Sequence, residues 1–233
     1  MILSAHQPVY LPGIILFNKI YLSDTFVLLS DAQFERSSWQ MRNRVRSGET
    51  ECFLSIPIVK KGKFGQTIAQ TKILNTNWKK KHIDTIFYNY KNRPHFEKYF
   101  SCIEQMIINS DDYICNLNSS LIKYFCDCLK INTFIVDSID LPISGKNNER
   151  LISICNSLGI KRYISNSGAH AYINENIFRE SGIEHFWQNF EHPIYEQGHS
   201  FIPNLSIVDL LFNLGEDSAE IVKDCGKLSS TSN

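Results

Sequence analysis

Met1-Ile-Leu-Ser-Ala-His6-Gln7-Pro8-Val-Tyr10-Leu-Pro12-Gly13-Ile-Ile-Leu-Phe17-Asn18-Lys19-Ile20 decides how the rest of the chain is read. The apolar run Ile2 to Ala5 reads as a buried strand. It ends in His6 and Gln7, and Pro8 and Pro12 then stiffen the backbone and forbid strand pairing or an early helix. Helical spacing resumes from Ile14 to Ile20. A strand therefore delivers an imidazole and a carboxamide to a rigid loop. In open α/β sheets ligands sit beyond the carboxyl ends of strands. The plainer reading is a histidine that ties its own loop, but a stiff loop holding polar groups suits a site better than a connection.

Two further strand ends carry polar groups. Thr25 to Ser30 is a β-rich apolar run closed by Asp31, with Gln33 two residues on. Lys161 to Ser165 runs into Asn166-Ser167-Gly168, a turn whose free amides suit a phosphate or an oxyanion, with Tyr172 just beyond. Between these lie Arg36, Trp39, Arg42, Asn43, Arg44 and Arg46. Arginine forks with a nearby indole fit phosphate or carboxylate capture and ring stacking. They equally fit a charged hairpin edge.

The remaining chain fills in a frame. Glu51 to Val59 reads as a third strand, and Lys60 to Gly65 as a flexible basic loop able to close over an anion, without a P-loop pattern. Residues 66–74 alternate weakly, as a short strand would. Residues 77–130 show helical periodicity, broken at Pro94, and read as a peripheral helical subdomain. Phe134 to Val136 is a short strand, Asn147 to Gly159 a helix, Ile183 to Phe190 the last strand. Ser206 and Asp209 resemble a capping box before a helix that stops at Gly215, which makes Asp209 structural. Residues from Lys227 read as a frayed tail. The expected fold is a single α/β domain over 1–233: a mainly parallel, Rossmann-like sheet joining strands near 2–5, 25–30, 134–136 and 161–165, with flanking helices.

Composition narrows the function. The 24 basic and 24 acidic residues cancel, so charge predicts no nucleic-acid partner. No apolar stretch reaches the roughly 20 residues of a membrane span, and the N-terminus lacks a leader pattern, so a cytoplasmic location is expected. Seven scattered cysteines read as reduced, buried thiols. Cys126-Asp-Cys128 lacks zinc-knuckle spacing, so no metal site is assigned.

Three stretches together resemble the WbqC-like family: His6-Gln7-Pro8-Val-Tyr10-Leu-Pro12 with Phe17 and Lys19-Ile20; Asp31-Ala-Gln33-Phe34 with Trp39 and Arg42-Asn43; and Ser167-Gly168 with Tyr172, then Tyr195, Gln197 and Leu205 to Asn213. Gly13-Ile-Ile-Leu stands where the family usually has a Trp, and His170 approaches where it usually has a second small residue. The resemblance implies a role in surface-polysaccharide (O-antigen) biosynthesis, with transfer of an aminoacyl group, glycyl among the candidates, to a nucleotide-linked amino sugar. On that reading His6 is the base, with Gln7 and Asp31 beside it in the catalytic group. Tyr10, Gln33, Arg36, Trp39, Arg42, Asn43, Asn166, Ser167, Gly168, Tyr172, Tyr195 and Gln197 are the expected substrate-binding residues, lining one pocket. An acyl or aminoacyl donor is the second partner, and no cofactor is required. An ATP- and Mg-using ligase or nucleotidyltransferase of the same pathway is the first alternative. A non-catalytic sugar-binding or assembly protein is the second.

Overall fold

The computed structural model describes residues 1–59, 65–198 and 200–230. The basic loop at Lys60 to Lys63 lies outside the described residues. Six strands form one sheet: β1 (Leu3–His6), β2 (Thr25–Leu28), β5 (Phe134–Asp137), β6 (Arg162–Asn166), β7 (Glu184–Phe190) and β8 (Gly226–Ser230). Their spatial order is β5-β2-β1-β6-β7-β8, parallel except for the β7–β8 pair. The four strands expected to share a parallel sheet do so. The five parallel strands run outward in both directions from the β1–β6 pair, which puts the point of strand-order reversal between these two. That is where α/β sheets open a crevice at their carboxyl edge.

Residue alternation explains why these runs become central strands. Leu3, Ala5 and Val27 point to one face and pack with Ile152, Ile154, Tyr163 and Phe178, under α5 (Asn147–Ser157) and α6 (Glu175–Glu180). Phe26 and Leu28 point to the other face, under α1 (Ile14–Tyr21) and α7 (Ile207–Leu214). Both faces are covered, so the strands read as continuous apolar runs. The helices α2 (Trp78–Tyr90), α3 (Phe96–Ile108) and α4 (Ile114–Cys128) fill 77–130 as expected. Their buried residues Ile86, Phe96, Ile103 and Phe125 belong to the same apolar cluster as Phe17 and Phe212, so they extend the main core. The helix α8 (Ser218–Asp224) packs against α1.

Three expectations need correction. The strand read over 51–59 ends at Ser55 and stays outside the main sheet: β4 (Thr50–Ser55) pairs antiparallel with β3 (Arg42–Ser47) as a two-stranded hairpin. Residues 66–74 form only isolated bridges, Thr67 with Gln33, Lys72 with Tyr113 and Ile73 with Ile58. The supposed frayed tail instead pairs with β7 from Gly226 to Ser230, closing the sheet edge. All seven cysteines are free; Cys115, Cys126, Cys155 and Cys225 are buried, whereas Cys102 is exposed.

Two buried histidines couple this fold to pH. His82 shares a 3.0 Å hydrogen bond with the Tyr10 hydroxyl, and His185 a 2.8 Å bond with Ser165. Burial pushes both imidazoles down to about 4. The unfolded chain then binds more protons than the folded chain between about pH 6.5 and 4, so stability falls as pH falls through that window. His82, the more deeply buried ring, contributes a loss of roughly 3 kcal/mol when the window is fully crossed, and the better-solvated His185 contributes less. Denaturant titrations at pH 7 and pH 4 should therefore differ by several kcal/mol; equal stabilities would contradict the buried neutral rings.

Candidate functional site

The carboxyl end of β1 opens into a cleft of about 310 Å³ at the β1–β6 crevice. Its polar lining comes from separate segments: His6 from β1, Lys19 from α1, Asn43 and Arg44 from β3, and Asn166 from the end of β6. Trp39, His192 and Asn204 complete the polar wall. Among the described residues no group of three or more His, Cys, Asp or Glu side chains is arranged to hold a metal ion.

The proline loop is held rigidly over this cleft. Leu11 sits at φ 42°, a left-handed conformation that a branched side chain disfavours. Side-chain amides hold it there: Asn43 Nδ2 donates to the carbonyls of Tyr10 (3.2 Å) and Leu11 (2.8 Å). Asn118 Nδ2 donates to the carbonyls of Pro8 (3.2 Å) and Gln40 (2.8 Å). Gln7 accepts at 2.8 Å from Gln40 Nε2. Such over-determined backbone strain is a usual companion of functional sites.

His6 is half-buried, and its Nδ1 lies 2.8 Å from the Gln7 carbonyl oxygen. A carbonyl only accepts, so Nδ1 carries the proton and Nε2 is the basic nitrogen. Burial, then the nearby Lys19 ammonium, lower this imidazole to about 4, against a smaller opposing effect of the Gln7 carbonyl. The ring is neutral at pH 7 and able to accept a proton. Lys19 is 4% exposed, and its Nζ donates to the Ala5 carbonyl at 2.9 Å. Burial lowers it to about 7.

The rim is an aromatic and cationic stack. The Arg42 guanidinium lies 4.7 Å from the Phe53 ring centroid, Phe53 lies 6.2 Å from Trp39, and Arg44 lies 5.7 Å from Trp39. Arg44 also holds Glu51 at 2.9 Å and the Asn204 carbonyl at 3.2 Å. Trp39 remains 49% exposed, a free face at the mouth of the cleft. His192 accepts at 2.9 Å from the Asn204 backbone amide and so fixes the opposite lip.

The structure thus brings His6, Trp39, Asn43, Arg44 and Asn166 to one cleft and adds Lys19, His192 and Asn204. Ser167 and Gly168 follow Asn166 in an exposed 3₁₀ turn outside that lining. Asp31 does not touch His6: its carboxylate takes hydrogen bonds from Ser138 (2.5 Å) and Arg150. Burial alone would raise its proton affinity, but these bonds and the guanidinium charge hold it below the usual carboxylate range. Tyr10 is buried against His82. Tyr195 is buried with its hydroxyl on Asp209, and Gln197 is buried on Arg46. These three hold the core rather than the cleft wall. Gln33 and Arg36 are exposed on the segment before the hairpin, and Tyr172 lines a separate shallow depression with His170, Glu175 and Trp187.

A family model described as the WbqC-like protein family matches residues 7–221, nearly the whole chain. The chain belongs to the WbqC-like protein family. Among curated proteins, this WbqC-like chain is similar to the uncharacterized protein Rv1507c of Mycobacterium tuberculosis, with 29% identity over 222 residues covering 94% of this chain and 96% of that one. No solved structure matches it. The matched span includes Gln7 and the proline loop, the arginine hairpin, the turn after β6 and α7, the segments that frame or brace the cleft of this WbqC-like fold. No helix among the described residues is long and apolar enough to cross a membrane.

Proposed function

We propose that this WbqC-like protein transfers an aminoacyl group, glycyl among the candidates, to the amine of a nucleotide-linked amino sugar in surface-polysaccharide (O-antigen) biosynthesis. The observation that carries the reading is the neutral His6 ring, with Nε2 basic, in a cleft at the crevice of the sheet. Acyl transfer to an amine needs a base for the amine proton and a donor for the developing oxyanion. We assign the first role to His6 and the second to the Asn166 carboxamide, which lines the same cleft at the end of β6. The amine nitrogen attacks the carbonyl of an activated ester or thioester. A C–N bond forms, the amine proton moves to Nε2, and the C–O or C–S bond breaks with that proton passing to the leaving group. Asn43 acts as a positioning residue, because its amide already holds the proline loop. Trp39 offers its exposed face to a sugar or base ring, with Arg44 beside it. A cleft of this volume fits one sugar with a small acyl group.

The test is mass spectrometry of a nucleotide-linked amino sugar incubated with the protein and activated glycyl donors, with and without ATP and Mg. A glycyl mass gain without ATP supports transfer. A gain that requires ATP and releases AMP replaces it with the ligase reading. Binding of the sugar with no product under either condition leaves a non-catalytic sugar-binding protein.

A further inference from the structure

The polar lining of the cleft is one-sided. Lys19, His6, Arg44, His192, Asn43, Asn166 and Asn204 contribute, and among the described residues no carboxylate lines it. Arg44 is already committed to Glu51 and the Asn204 carbonyl. Lys19 is not committed in this way. Its one hydrogen-bond partner among the described residues is the Ala5 carbonyl, although an ammonium carries three donors. A buried cation without a counter-charge is costly, and proteins normally pair it. Lys19 itself lines the cleft.

We infer that Lys19 is the floor of an oxyanion subsite, built to receive a carboxylate or phosphate group of the ligand. The inference rests on the reading of this cleft as the ligand site, but not on which group is transferred there. The groups around Lys19 support it. On β1 stands His6 and on β7 His185; both sense its charge. At the rim stand Arg44 on β3 and His192 after β7. From α8, which packs on α1, the charged residues Glu220, Lys223 and Asp224 are exposed, and the first two pair with each other. No acidic group therefore compensates Lys19 from inside the protein, among the described residues. Burial accordingly lowers Lys19 to about 7, so near neutral pH the amine is partly uncharged while the cleft is empty of anion. By linkage, an anion that prefers the charged form raises that affinity and draws in a proton.

The experiment is calorimetric titration of the whole chain with sodium sulfate and with sodium acetate, both fully ionised from about pH 6 to 9. Buffer pairs of different ionisation heat read the protons taken up. The dissociation constant should be flat below about pH 7 and weaken about tenfold per pH unit above it, with close to one proton taken up per anion at pH 8. Tighter sulfate assigns the subsite to phosphate, and tighter acetate assigns it to a carboxylate. Lys19→Met should remove the slope and weaken binding at pH 7 by about tenfold or more. A dissociation constant independent of pH without proton uptake, binding whose slope survives in Lys19→Met, or no saturable binding would overturn the inference. If Lys19→Met does not fold, the slope and proton uptake of the unaltered protein still decide. Neither probe is an activated acyl donor, so this outcome is independent of whether aminoacyl transfer is found.

Discussion

Replacing Asp209 with leucine should destabilise the protein by roughly 3–5 kcal/mol, the usual cost of removing one member of a buried charged network. Asp209 is fully buried in α7. Its carboxylate accepts from the hydroxyls of Tyr90 and Tyr195, both at 2.9 Å, and from Asn213 at 3.3 Å. Burial raises its proton affinity, while the two tyrosines and then the Arg46 charge oppose that rise. Arg46, itself 1% exposed, donates to Gln197 at 2.5 Å and to the Ser200 carbonyl at 2.7 Å, and its backbone amide donates to Tyr90 at 2.8 Å. Leucine would leave two buried hydroxyls short of an acceptor and a guanidinium short of its nearby negative charge. Asp209→Asn keeps the shape and one oxygen, so it should cost less. Denaturant titrations of both variants check this, and a loss below about 1 kcal/mol for leucine would show that the network is not cooperative. The network also reaches the cleft, because Arg46 and Asn43 share the strand β3 that clamps the proline loop.

The second large effect is expected at His6. His6→Ala should cut turnover roughly 10²–10⁴-fold, the range for loss of a general base. Among the described residues the ring makes one hydrogen bond, to the adjacent Gln7 carbonyl, while the loop around it is held by Asn43, Asn118 and Gln40. Thermal stability should therefore change little. If His6 serves only to tie its loop, the same variant would melt earlier and its folded fraction would keep full specific activity. Both quantities, measured on one preparation, separate these roles.

The frame was legible because central strands announce themselves. Leu3 to Ala5 and Thr25 to Leu28 are buried, and a short continuous apolar run bounded by turn residues is what a covered parallel strand shows. The stop at Gly215 was equally legible, since its φ of 59° ends α7 as a glycine allows. The strand at Gly226 to Ser230 was hidden because Lys227-Leu-Ser-Ser pairs on one side only, at the sheet edge, and carries no apolar pattern. In the site, His6 and Asn166 were readable from their places at strand ends. Sequence alone does not mark Lys19 as a site residue, because a lysine on a helix ordinarily marks the wet face. The available signal was its neighbourhood: Phe17, Asn18, Lys19 and Ile20 are consecutive buried residues, which leaves this short helix little polar face to turn outward. Sequence alone does not separate a core role for Tyr10 and Tyr195 from one at the cleft, because a tyrosine serves a core or a ring platform equally well. Their partners, His82 and Asp209, are set by tertiary packing that no local spacing reveals.

The proposed chemistry turns on His6 being a neutral base in the cleft. Nitrogen-15 NMR of its ring, assigned by comparison with His6→Ala, tests it most directly. The ring should stay neutral with the proton on Nδ1 until about pH 4, and its Nε2 signal should move when a nucleotide-linked amino sugar is added. A ring that titrates near the ordinary value of about 6.5, or an Nε2 signal unmoved by saturating nucleotide-linked amino sugar, would contradict the account.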